Sequence, residues 1–306
     1  MTETVMPHHI PDLRLKAAPF RTDRSFTSRL SLPESTRHPA STKLGKLILF
    51  DAHNHLQRFP DPDAIIAGMK TAGITGCIVN GTSESDWPQV AELAENHPDF
   101  VHPAFGLHPW FAHQRSNSWI ETLHSYLDRF SHASVGECGL DRWIKQPDLD
   151  EQLTVFLPQL TLARERNLPI TIHALKAWGP LLETFEKEPP PERGFLLHSF
   201  GGSPELVTQL TPLGAHFSFS GYFLHPRKST VLDAYRTVPS DRLLLETDAP
   251  EMLPPAEIIS HPLPGEQNHP ANLASIATSL ASHLQRPREE LIDACTQNTK
   301  AYFNLS

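Results

Sequence analysis

The sequence predicts an α/β fold, a (β/α)8 TIM barrel with room for distortion, over residues 47–306. Three observations carry that expectation. Eight short apolar runs alternate with eight stretches of helical length. Five of the runs end in metal-liganding side chains, in the order His-x-His, Glu, His, His, Asp. An open doubly wound sheet would alternate equally well, but only a closed barrel of parallel strands gathers the ends of the first, fourth, fifth, sixth and eighth runs at one rim.

The strand candidates are 47–51, 76–80, 101–106, 133–137, 169–173, 195–198, 216–220 and 243–248. Asp61-Pro62 and Ser203-Pro204-Glu205 each offer an N-cap followed by proline at the first helical position. In 152–167 the residues Leu153, Phe156, Leu157, Leu160 and Ala163 share one helix face. The C-terminal stretch reads as two helices, 270–284 and 287–302. Residues 1–46 have no apolar period and are rich in Pro, Ser, Thr and Arg, so they are expected to form a flexible N-terminal extension. Glu3, Asp12, Asp23 and Glu34 argue against a transit peptide there.

The formal charge of −9 is divided unevenly. Residues 1–46 hold eight basic and four acidic side chains (+4), leaving 18 basic and 31 acidic (−13) in the remainder. So acidic a body does not attract polyanions through its overall field, and nucleic acid would have to be held by local contacts. No apolar run is long enough for a membrane span, and no secretory signal is evident. Three scattered cysteines, Cys77, Cys138 and Cys295, suggest no disulfide framework and fit a reducing cytoplasm. Nothing in the sequence calls for an obligate protein partner, and a monomer is expected.

His53 and His55 lie two apart, on one strand face; by the same period Glu246 and Asp248 would share a face on the eighth run. With Glu137, His173, His198 and Asp248 they form a set of nitrogen and oxygen donors suited to two divalent ions (Zn, Mg or Mn), Glu137 bridging. Asp248 is the candidate general base, beside Glu137 as the second catalytic carboxylate. Glu246 could orient a ligating imidazole or satisfy a buried donor.

The ordered segments Phe-Asp-Ala-His-Asn-His, Gly-Leu-His-Pro, Gly-Glu-Cys-Gly-Leu-Asp, Ile-His, Leu-His-Ser-Phe-Gly-Gly, Ser-Phe-Ser-Gly, Glu-Thr-Asp-Ala-Pro and Asn-His-Pro-Ala-Asn resemble the TatD-like metal-dependent hydrolases of the amidohydrolase superfamily. The likeness runs over about residues 47–302. It implies a two-metal enzyme and, as in several family members, a deoxyribonuclease with exonuclease behaviour. It also implies His53, His55, Glu137 and Asp248 on one ion and Glu137, His173 and His198 on the other. The chain departs from the family where an Arg commonly follows the fifth-strand histidine: here His173 is followed by Ala174-Leu175-Lys176, and Lys176 is a point charge rather than a fork.

Around that rim, His108, Trp143, Lys176 and Arg227 are the candidate substrate contacts: donors to phosphate oxygens, or, for Trp143, a surface for a base or sugar. DNA or another phosphodiester is therefore the leading substrate. A small-molecule amide, lactone or ester is the runner-up, and a catalytically slow metal-binding interaction protein the third reading.

Overall fold

The computed structural model describes residues 48–305; the expected extension over 1–46 lies outside the described residues. Eight strands, all parallel, run in the order β1-β2-β3-β4-β5-β6-β7-β8. They are β1 Leu49–Asn54, β2 Ile74–Asn80, β3 Val101–Phe105, β4 Ser134–Asp141, β5 Ile170–Leu175, β6 Phe195–Leu197, β7 Ala215–Phe219 and β8 Leu243–Leu245. The helices are α1 Pro62–Thr71, α2 Trp87–Asn96, α3 Trp119–Arg129, α4 Leu149–Arg166, α5 Trp178–Lys187, α6 Pro204–Leu210, α7 Ser229–Ala234, α8 Leu273–Leu284 and α9 Arg288–Phe303. This is the TIM barrel that the alternation predicts. Among the described residues no helix is long and apolar enough to cross a membrane.

Two apolar layers follow from strand alternation. Leu49, Cys77, Val79, Phe195, Leu197, Leu243 and Leu245 face outward into the larger core beneath the helices. Phe50, Ala52, Ile78, Ala104, Leu196 and Leu244 fill the interior, closed below by Tyr302 and Phe303 from α9. The expected caps are partly realised: Asp61 accepts from the Ala64 N–H at 3.0 Å, whereas Ser203 makes no such bond. Helix α4 begins three residues earlier than its apolar period indicates, because Asp148 accepts from the Glu151 N–H at 3.0 Å.

The eighth strand is where the structure departs from the sequence pattern. It ends at Leu245, so Glu246 and Asp248 do not share a strand face. Past that point the chain turns toward β1: the Asp248 N–H donates to the His53 carbonyl at 3.0 Å and the His55 N–H to Ala249 at 2.8 Å. Asp248 sits at φ +51°, a left-handed backbone. The barrel is thus completed by loop backbone rather than by a β8–β1 ladder, which is its distortion.

His216 lies inside the lower barrel, its ring 4.5 Å from that of Tyr302 and its Nδ1 buried without a partner. Burial, with the nearby Arg242 charge, lowers its pKa from 6.5 to about 4, and burial does the same for His102. Between those values the unfolded chain binds a proton that the folded one refuses. The stability these two rings contribute is therefore complete above pH 6.5 and falls as pH drops toward 4. Urea denaturation across that range is expected to show a His216→Gln variant with a shallower acid slope, by up to about 1.4 kcal/mol per pH unit.

Candidate metal centre

β1 and β4, which deliver three of the six candidate ligands, each carry a register irregularity at the ligands, between Asp51 and Asn54 around His53 and between Val135 and Cys138 around Glu137. Phe50 and Ala52 point inward, yet His53 and His55, of opposite parity, also reach the interior. A bulge re-aims a side chain in this way. Gly139, opposite His173 on β5, has φ +137°; an added Cβ would lie 2.1 Å from the His173 carbonyl, so only glycine lets the two strands approach here.

Glu137 occupies the centre. Its Oε2 lies 3.4 Å from His53 Nε2 and 3.3 Å from His55 Nε2, and those nitrogens stand 3.4 and 3.3 Å from Asp248 Oδ1 and 3.3 Å from each other. Four donor atoms bound tetrahedrally at 2.0–2.1 Å would be separated by about 3.3–3.4 Å. Charged hydrogen bonds would be shorter, at about 2.7–2.9 Å. Glu137 Oε1 faces a second group: His198 Nε2 at 2.7 Å, His173 Nδ1 at 3.1 Å and His108 Nε2 at 3.3 Å, with His173 and His198 3.2 Å apart.

Hydrogen bonds on the far side of three of the rings assign their tautomers. His55 Nδ1 donates to the Asn80 carbonyl at 2.8 Å, leaving Nε2 bare toward Glu137 and Asp248. His173 Nε2 donates to Asp141 Oδ2 at 2.9 Å, leaving Nδ1 bare. Lone pairs facing carboxylate oxygens require a cation between them. His108 is the opposite case: its Nδ1 accepts from the Trp110 N–H at 3.1 Å, so its Nε2 carries the hydrogen and donates to Glu137. Burial lowers the His108 pKa to about 4, keeping the ring neutral near pH 7. His108 could therefore join Glu137 and His173 in a cation-sized group by position, but its tautomer makes it a donor.

Without an ion, protons supply the positive charge. For Glu137 and Asp248 burial disfavours ionisation, yet the histidines around them hold both carboxyls below the usual range. Burial and Arg58 oppose protonation of His55, but hydrogen bonds to Asp248 and Glu137 outweigh them and lift it to about 9. His198, desolvated but beside the Glu137 charge, is raised well above 6.5. The donor set thus fits divalent cations, which must displace protons to enter.

Several supporting groups escape a reading by residue type. Gln152 and Gln159, two turns apart on α4, each bond both backbone groups of one residue: Gln152 those of Asp141 at 2.7 and 2.9 Å, Gln159 those of Leu107 at 2.8 and 3.1 Å. They fix the loop carrying His108 and the end of β4 at Asp141. Glu246 accepts from the Ser199 N–H at 2.7 Å and from the Ser199 and Ser218 hydroxyls, so its carboxylate is taken up by buried donors, 3.8 Å from His198 Nδ1. Of the substrate candidates, Lys176 places Nζ 3.9 Å over the exposed Trp143 ring, while Arg227 packs over Tyr222. Only His108 reaches the central carboxylate.

Asp51, fully buried, accepts from the Thr247 N–H and hydroxyl at 3.0 and 2.6 Å and from Asn54 at 3.0 Å. Burial pushes its carboxyl up to about 7, against the pull of those hydrogen bonds. It holds the turn that presents Asp248. Asp51→Ala would strand four buried donors, the His53 N–H at 3.4 Å included, and urea denaturation should show a loss of about 3 kcal/mol or more.

Comparison with known proteins agrees with this geometry. The TatD related DNase family matches residues 50–304. The uncharacterized metal-dependent hydrolase YabD of Bacillus subtilis is 30% identical, covering 85% of this chain and all of that one. The 3'-5' ssDNA/RNA exonuclease TatD of Erwinia tasmaniensis is 32% identical over 80% of this chain and 94% of its own. The crystal structure of YjjV, a TatD homologue from Escherichia coli, superposes with a TM-score of 0.77 at 30% identity over 84% of this chain and 98% of that one. With its metal-fitting rim on a parallel eight-stranded barrel, this chain belongs to the TatD family of metal-dependent hydrolases.

Proposed function

We propose that the protein is a two-metal phosphodiesterase that degrades DNA, with exonuclease behaviour. The observation that carries this reading is Glu137, whose two oxygens each face a separate cluster of imidazoles. His53, His55, Glu137 and Asp248 would hold one ion; Glu137, His173 and His198 would hold the other. The imidazole-rich donor set favours Zn or Mn over Mg, which prefers an octahedron of oxygens. Two such ions supply Lewis acidity and lower the pKa of a captured water toward neutrality.

The chain's own groups then divide the remaining work. Asp248, with its side chain 13% exposed, is the proposed general base, taking the proton of the attacking water at its carboxylate. With Glu137 engaged by an ion, His108, neutral and bearing its one hydrogen on Nε2, would turn that hydrogen from Glu137 to negative charge developing on a phosphate oxygen. Asp141 fixes the His173 ring, itself held by Trp110 Nε1 at 2.8 Å and the Trp143 N–H at 2.5 Å. Exposed Trp143, with Lys176 stacked on it, offers a platform for a terminal base. The nuclease names of relatives such as the Erwinia tasmaniensis exonuclease support the same substrate class.

The test is metal analysis by mass spectrometry beside degradation of end-labelled single- and double-stranded DNA. Loaded protein should contain two ions per chain and shorten DNA from an end; a chelator should abolish both. Asp248→Asn is expected to lower kcat by about 10²–10⁴-fold and His108→Gln by about tenfold. Loaded protein that turns over small esters but leaves DNA intact would overturn the DNA reading.

A further inference from the structure

Lys176 and Arg227, the rim cations, are engaged with aromatic rings. Arg58 is differently placed. It ends the 3-10 turn Leu56–Arg58, and its N–H donates to the His55 carbonyl at 3.0 Å. Its guanidinium spans two further loops: Nη1 meets Glu251 Oε1 at 2.9 Å and Nη2 meets Thr82 Oγ1 at 3.4 Å. Thr82 accepts the His108 N–H at 2.9 Å, and its neighbour Gly81 accepts the Glu137 N–H at 2.8 Å. Glu251 follows Asp248 by three residues. The anchors of Arg58 are therefore the short segments that place Glu137, His108 and Asp248.

Three features give the guanidinium a binding role rather than a purely structural one. Its side chain is 31% exposed, so it meets solvent at the mouth. Burial of the rest costs it hydration, but the fields of Glu251, Glu137, Asp248 and Asp86 more than compensate, and its charge is electrostatically part of the centre. A guanidinium has five N–H donors, and Glu251 and Thr82 take one each, leaving three. The fork matches the paired oxygens of a phosphate, which a lysine ammonium does not.

We propose that Arg58 is the anion-recognition residue of this centre, its guanidinium binding the non-bridging oxygens of a substrate phosphodiester. Glu251 acts as a latch that holds the fork in position until the anion displaces it. Arg58 thereby supplies, from the β1 side, the guanidinium missing after His173, where Ala174-Leu175-Lys176 stands. The inference rests on the phosphodiesterase reading above.

The test uses metal-loaded wild type, Arg58→Ala, Arg58→Lys and Glu251→Gln. Calorimetric titration with inorganic phosphate is read beside kcat and KM on bis(4-nitrophenyl) phosphate and on the uncharged ester 4-nitrophenyl acetate. Arg58→Ala should bind phosphate about 10- to 100-fold more weakly and raise the diester KM by a similar factor. Its metal content should match wild type, and its loss on the neutral ester should be much smaller than its loss on the diester. Arg58→Lys should recover only part of the affinity, and Glu251→Gln should bind phosphate at least as tightly as wild type. Unchanged phosphate affinity in Arg58→Ala, or equal losses on both substrates, would overturn the proposal; weakened binding in Glu251→Gln would overturn the latch. If wild type cleaves no diester, the phosphodiesterase reading fails alone, and the phosphate titrations still decide Arg58.

Discussion

The centre depends on one buried carboxylate that cannot stand alone. Glu137 is 3% exposed and carries its charge among five imidazoles, two against one oxygen and three against the other. Desolvating a carboxylate is costly unless positive charge meets it. The outward hydrogen bonds of His55 and His173 remove the proton from the inward nitrogen of the neutral ring, so those rings cannot neutralise Glu137 by ordinary hydrogen bonding. The site is thus built with a deficit of positive charge, which protons or divalent ions fill.

Much of the surrounding structure keeps those atoms in place. Asn80 fixes His55, Asp141 fixes His173, and α4 fixes Asp141 through Gln152 and the His108 loop through Gln159. On the other side Asp51 pins Thr247, and the backbone on either side of Asp248 pairs with β1. A donor misplaced by an ångström would no longer share an ion, so these buried hydrogen bonds serve geometry more than net stability.

The barrel and the convergence of the six candidate ligands were legible because each lies at or just beyond the end of an apolar run, and strand ends meet at one rim in this fold. The family resemblance read from the ordered motifs is borne out by the match over residues 50–304. Period alone could not show the slipped parity around Asp51 and Gly136, since a bulge depends on the partner strand rather than on the residues themselves. The same limit misplaced Glu246 and Asp248 on one strand: Thr247 gives its hydrogen bonds to Asp51, 196 positions away, and no local pattern records that competition. Gln152 and Gln159 were legible as helical residues but not as brackets, because their partners are backbone atoms of other loops. His108 was read as a donor from its motif, and the Trp110 N–H behind it supplies the tautomer that makes it one.

Charge decides how such a centre can hold a polyanion. The body after residue 46 sums to −13, so its long-range field repels nucleic acid, and at physiological salt any field fades within about 8 Å. On the proposed reading, attraction would have to come from groups that touch the scissile phosphate: the ions, the His108 N–H and the Arg58 fork, with Trp143 stacking a base by a contact that carries no net charge. Such a site would engage a few nucleotides rather than a long duplex track. Short-range capture of a chain end, as proposed, would be compatible with the same acidic surface that argues against a high-affinity DNA-binding protein, because repulsion grows with the length of nucleic acid laid along the body while the contacts at the centre stay fixed.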